Sequence, residues 1–153
     1  MKQVGRRVRG IDWQLRTSGQ LAYVADIPLQ GILHGAILRS PHSLARILGI
    51  DTSAARRLPG VHAVITAADL PPGKRYVHEG AADRAPMAET VVRFVGEEVA
   101  AVAAETPEIA EAALRAIRVD YKVIAAPVTV AAALEPGATR LHERPTDQVN
   151  LSR

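Results

Sequence analysis

The 153-residue chain contains no cysteine. Disulfides, thiolate zinc sites and cysteine-ligated iron–sulfur clusters are therefore excluded within it. Aromatic side chains make up only 3%. A core must then be built from the alanine, valine, isoleucine and leucine that dominate the 48% hydrophobic fraction. No segment reaches the ~18 apolar residues of a membrane-spanning helix. Arg6-Arg7 is followed by Val8-Arg9-Gly10-Ile11-Asp12 rather than by the apolar run of an export signal, so the expected location is cytoplasmic. Net charge is small, +3 from 19 basic and 16 acidic residues. Phosphate-cradling glycine loops and the Gly-x-Ser-x-Gly elbow are also missing.

Candidate chemistry is correspondingly thin. None of His34, His42, His62, His78 and His142 has the spacing of a helical zinc site or a His-x-His cluster, so structural or surface roles are expected. Ser40 and Ser43 flank His42, but no orienting acid is placed for nucleophilic catalysis. Asp69 and Glu97-Glu98 are acids in expected turns, and paired-carboxylate chemistry requires two converging groups. No catalytic, cofactor-binding or metal-binding residue is assigned.

What is present is a regular alternation of short apolar runs and turn residues. Residues 32–38 and 45–50 are apolar runs on either side of Arg39-Ser40-Pro41-His42-Ser43. They read as strand, turn, strand, because proline holds the centre out of the helical region. Leu21 to Ala25 reads as an earlier strand. Asp51 or Thr52 caps a short helix that Pro59-Gly60 stops. Residues 61–66 read as a strand with Val61, Ala63 and Ile65 on one face. Residues 91–95 and 99–104 read as two strands around a turn at Gly96-Glu97. Thr106-Pro107-Glu108 is a strong helix start, with Ile109, Ala112, Ala113, Ala116 and Ile117 as its apolar face. A last strand spans 119–124, and 127–133 is extended or a short helical turn. Residues 71–89 read as a long loop, either docked on another domain or subunit, or solvated. The N-terminal residues up to Gly19 lack a regular pattern.

Lys2, Arg6, Arg7 and Arg9 form the densest basic patch. It fits a solvated or interface-buried arm, or a binding module for an acidic partner or nucleic acid. Base stacking calls for aromatic neighbours, and only Trp13, then Tyr23, stand near.

Several short motifs in order carry a resemblance. They are Ala22-Tyr23 with Asp26, Leu33-His34-Gly35, Leu38-Arg39-Ser40-Pro41-His42, Ala45-Arg46-Ile47 and Ile50-Asp51-Thr52. Pro59-Gly60-Val61, Asp69-Leu70-Pro71, Val92-x-Phe94-x-Gly96-Glu97 and Val119-x-Tyr121 continue the series. Together they resemble the N-terminal α/β-hammerhead domain of the molybdenum hydroxylase large subunit, the family of xanthine dehydrogenases, aldehyde oxidases and aerobic carbon monoxide dehydrogenases. Glu98 stands where that family usually has proline, and Leu44 where it often has a second histidine.

The resemblance implies an α+β fold, an α/β-hammerhead with a mixed sheet of about six strands and two helices. It divides the chain into an arm (1–19), the hammerhead domain (20–135) and a tail (136–153) leading toward a molybdenum-cofactor domain. It implies a structural domain or split subunit that supports hydroxylation of an aldehyde, N-heterocycle or similar substrate. Molybdopterin, [2Fe-2S] clusters and FAD would belong to the complete enzyme, none of them bound by this chain alone, which is expected to be inactive by itself. The expected partners are the molybdenum-cofactor part and the iron–sulfur and flavin subunits or domains, with no membrane. The alternative is the basic binding module.

Overall fold

A computed structural model describes residues 4, 5, 7, 9–73, 76–78 and 81–142. The chain forms two units, Met1–Ile32 and Leu33–Arg153. The first holds a five-residue helix α1 (Trp13–Thr17) and a 3-10 turn at Val24–Asp26. Its order is local. Arg16 Nε donates to Asp12 Oδ2 at 2.7 Å, and Tyr23 N–H donates to Asp26 Oδ2 at 2.9 Å. The expected strand over Leu21 to Ala25 is replaced by this turn. The Asp26 carboxylate captures a backbone N–H that a ladder would have used, a competition typical of short polar side chains. The expectation of an arm without regular structure is likewise corrected by α1. None of this unit's residues with described burial is buried.

In the second unit, strands β1 (His34–Arg39), β2 (Ala45–Asp51) and β3 (Val61–Thr66) are followed by β4 (Tyr76–His78), β5 (Ala81–Arg84) and β6 (Val91–Val92). Strands β7 (Glu98–Ala104) and β8 (Arg118–Val123) complete the set. Helix α2 (Ser53–Arg56) follows β2, α3 (Pro107–Ala116) joins β7 to β8, and α4 (Val130–Leu134) comes last. The six longer-range strands are shared between two three-stranded sheets, β1-β7-β3 and β6-β2-β8, and every pairing is antiparallel. This is the expected α+β hammerhead, but in place of one mixed sheet its strands are divided between two antiparallel sheets, and short helices are added to the two foreseen. The chain alternates between the two sheets along its length, and two of these crossings, residues 40–44 and 93–97, join β1 to β2 and β6 to β7.

Bulges set which side chains meet the core. In β3, Val61 faces Ala104 and Ala63 faces Ala103, so His62 is an extra residue. The parity flips there. Val61 and Val64 share the core side, and Ala63 and Ile65 are exposed. The single face of Val61, Ala63 and Ile65 expected from period two is thus broken by the bulge. The register of β2 against β8 shifts between Ile47 and Gly49, which turns Ile50 inward and leaves Leu48 64% exposed. A third shift, opposite Leu38 and Arg39, lets adjacent Val99 and Ala100 enter different clusters.

Two small-residue cores result. Ala55, Val64, Ala100, Val102, Ala104, Ala110, Ala113 and Ile117 form one, beneath α2 and α3. Ala45, Ala88, Val92 and Val99 form the other, and Ile50 and Val119 pack against both. Alanine lets α3 approach the first sheet closely, which compensates for the scarcity of large side chains. As expected, Thr106 caps α3, its Oγ1 accepting from Ile109 N–H at 3.3 Å. At α2 the N-cap position is Thr52, without a side-chain cap bond, and Asp51 just before it accepts from Ser53 N–H at 2.9 Å.

Residues 71–89, expected as a loop, include the β4-β5 ladder and end in buried Met87 and Ala88. Lys74, Arg75, Glu79 and Gly80 lie outside the described residues, as does Asn150.

Candidate functional site

Two of the crossings between sheets, at residues 40–44 and 93–97, are tied to each other. Ser40 N–H donates to Glu97 C=O at 2.9 Å, and Gly96 N–H donates to Ser40 C=O at 2.8 Å. Ser40 is 2% exposed. Its Oγ accepts from His42 N–H at 3.0 Å and lies 3.1 Å from His42 C=O. Serine is thus bonded to the histidine backbone, not to its imidazole, and no nucleophile–base pair is formed. The His42 ring meets Tyr121 edge-on at 4.9 Å between centroids. Burial pushes the Tyr121 phenol up, while a hydrogen bond with the Ser40 side chain pulls the other way.

On the crossing from β6 to β7, the Glu97 side chain is buried and accepts from Arg93 N–H. That bond removes Arg93 from the ladder, so the strand expected over 91–95 stops at Val92. Burial pushes the Glu97 carboxyl above the ordinary glutamate range, against the opposing pull of Arg93 and Arg84. Glu98 is gripped twice: Arg39 Nη1 lies 2.8 Å from Oε1 and Arg84 Nη2 lies 2.7 Å from Oε2. Burial alone would raise its carboxyl, but these bonds outweigh that and hold it below its usual range. Arg39 also donates to Gly96 C=O at 2.8 Å. Where a proline would stiffen this turn through its backbone, Glu98 does so through two guanidinium contacts.

Arg93 Nε donates to Leu141 C=O at 2.8 Å, fastening a segment that follows α4. Arg84, Arg93, Phe94, Glu97, Leu141 and His142 enclose a cleft of about 210 Å³. Arg84 also lies over the Phe94 ring, 5.2 Å from its centroid. No role for Arg84 or Arg93 is readable from sequence. The only local signal is that Arg93 interrupts an apolar run.

The remaining candidates are dispersed. His34 is half-buried on β1, and His62 is exposed on β3 with Nε2 3.2 Å from Glu105 Oε1. His78 falls in β4, and its side chain is outside the described ones. Ser43 is exposed. Asp69 accepts from Thr66 N–H at 2.8 Å, which lowers its carboxyl. Among the described residues no group of three or more His, Asp and Glu is placed to hold a metal ion. The cleft does not fit a molybdopterin. At about 210 Å³ it is smaller than the ~300–1,000 Å³ of ordinary ligand pockets. Iron–sulfur ligation lacks its thiolates.

A different surface is laid out on the first sheet, opposite its helix-covered side. Ile37, Ala101 and Ile65 form one row across the three strands, and Gly35, Ala103 and Ala63 form the next. Ile37 is 45% and Ile65 37% exposed. Both rows are apolar throughout. Among the described residues no helix is long and apolar enough to cross a membrane.

Residues 18–125 match the family described as aldehyde oxidase and xanthine dehydrogenase, a/b hammerhead domain. The chain is 42% identical over 134 residues to a probable xanthine dehydrogenase subunit of Bacillus subtilis, covering 86% of this chain and 18% of that protein. It is 42% identical over 135 residues to the carbon monoxide dehydrogenase large chain of Afipia carboxidovorans, covering 87% and 17%. A crystal structure of the Cu,Mo-CO dehydrogenase in its carbon monoxide reduced state superposes with a TM-score of 0.83 at 40% identity, over 94% of this chain and 18% of that one. The chain therefore spans under a fifth of the length of these two curated relatives.

Proposed function

The chain belongs to the aldehyde oxidase and xanthine dehydrogenase a/b hammerhead family, and from that premise we propose that it is the N-terminal structural domain, or a split subunit, of a molybdenum hydroxylase. Residues 20–135 serve as the hammerhead, 1–19 as an arm, and 136–153 lead toward the cofactor-bearing part. The complete cytoplasmic enzyme oxidises an aldehyde, N-heterocycle or similar substrate with molybdopterin, [2Fe-2S] clusters and FAD. Those groups are held by its other parts, and this chain by itself is inactive. It supplies a rigid seat.

The observation that carries the reading is the bare apolar face of β1-β7-β3. Three strands ~4.8 Å apart and about five residues long present roughly 240 Å². That is well below the ~800 Å² per partner of a stable two-chain interface. Such a face is suited to being one part of a larger, permanent seat against the cofactor-bearing part.

The test is co-expression of this chain with a molybdenum-cofactor-bearing large-subunit chain, followed by size-exclusion chromatography and metal analysis. The wild type should elute at one-to-one stoichiometry with the molybdenum. The double variant Ile37→Glu, Ile65→Glu should elute alone while keeping the wild-type melting temperature. Molybdenum retained by the purified 153-residue chain, or substrate oxidation by it, would sink the reading.

A further inference from the structure

The first unit, Met1–Ile32, has the opposite construction to a folded domain. Among its described residues nine large apolar side chains are exposed, including Ile11 at 105%, Val24 at 87% and Leu29 at 62%. Residues 1–32 contain five basic and two acidic side chains, so the whole net charge of +3 resides there and the rest of the chain is balanced. Arg7 and Arg9 are exposed, and Arg9 lies 4.8 Å over the Trp13 ring. Asp12 is taken by Arg16, and Asp26 by Tyr23 N–H. The acids of the unit are thus used internally, which leaves the exposed Arg7 and Arg9 available to an outside partner.

We infer that this unit is a docking arm for an acidic protein surface with an apolar groove. A helix of five residues is far below the ~12–15 needed for stability in water, so the ordered arm requires a surface to hold it. The charge chooses the partner. A groove rimmed by Asp and Glu complements Arg7 and Arg9, while the aliphatic side chains fill its floor. Nucleic acid fits less well, because aliphatic side chains outnumber the two aromatics, Trp13 and Tyr23, that could stack on bases. The inference goes beyond the scaffold reading and does not depend on it, since the sheet face and the arm share no residue.

Trp13 is the only tryptophan and reports on the arm directly. The full chain is titrated with a 20-residue amphipathic peptide of alternating Glu and Leu faces, with a Lys–Leu peptide of the same pattern, and with a 20-base-pair DNA duplex. The Glu–Leu peptide should shift Trp13 emission to the blue, and its affinity should fall about tenfold or more between ~50 and ~500 mM salt. Arg7→Glu, Arg9→Glu should cost a further tenfold or more at low salt with no change in melting temperature. Ile37→Glu, Ile65→Glu should leave the titration unchanged, which separates failure here from failure of the scaffold reading. No spectral shift up to about 1 mM peptide, salt-independent binding, or an equal response to the Lys–Leu peptide would overturn the inference. Tighter binding of the duplex would overturn it in favour of nucleic acid.

Discussion

The arm and the body follow opposite rules within one chain. In Met1–Ile32, each described side-chain hydrogen bond spans at most four residues, and no residue of described burial is buried. In Leu33–Arg153, the bonds that shape the crossing reach from Arg39 to Glu98 and from Arg93 to Leu141, and two alanine-rich clusters exclude water. The difference shows that turn chemistry alone can position a short segment but cannot bury it. Burial requires register between strands distant in sequence, and only the body has that.

This contrast can be broken or sharpened by substitution. Leu44 is 2% exposed at the crossing, so Leu44→Ala should cost about 2–5 kcal/mol. Leu29→Ala, at a 62% exposed position of the arm, should stay within about 0.5 kcal/mol. Urea midpoints measure both, and an arm substitution as costly as the core one would abolish the distinction.

Gly60 has φ +80°, and a Cβ there would lie 2.8 Å from Ile109 Cδ1. Gly60→Ala should therefore cost about 2–3 kcal/mol, strain plus displacement of that side chain. Gly19 has φ +70° with nothing within 4 Å, so Gly19→Ala carries only the strain, about 1 kcal/mol. Thermal melts should rank the two in that order.

Thr106→Ala removes the cap of α3 and should lower stability by about 1 kcal/mol, seen as a melting decrease of about 2–4 °C.

The smallest effect expected is one of pH. The folded state holds the Glu97 carboxyl above its ordinary value of 4.5 because of burial. Its stabilising contribution is complete below that unfolded value and is lost as pH rises through the folded one. Arg93, Arg84 and Glu98 act on the same group. Glu97→Gln removes the loss, so the variant's stability relative to wild type should increase as pH rises from about 4.5 and level off above the folded-state value. A flat difference in chemical denaturation across that range would show that burial of Glu97 carries no such penalty.

Helix α3 was readable because its determinants are neighbours. Thr106, Pro107 and Glu108 start it, and Ala113 lies on the expected apolar face. Strands β1 and β7 were readable from short apolar runs between turn residues. The strand over Leu21 to Ala25 was misread because Asp26 offers the backbone a local partner that periodicity does not register. The acids at 97 and 98 looked alike in sequence. One is buried against a backbone N–H, the other is held by two arginines from β1 and β5. Nothing near them in the chain announces that division.

Sequence alone determined the composition of the core, the helix starts, the turns at Ser40-Pro41 and Gly96-Glu97, and the order of motifs that marks the hammerhead. These rest on local sterics, capping and hydrophobic period. Tertiary structure alone decided that the strands divide into two sheets, that β2, β3 and β7 are bulged, and that Ile37 and Ile65 share an open face. A bulge inserts one residue relative to a partner strand, so it exists only in the pairing and flips every side chain beyond it.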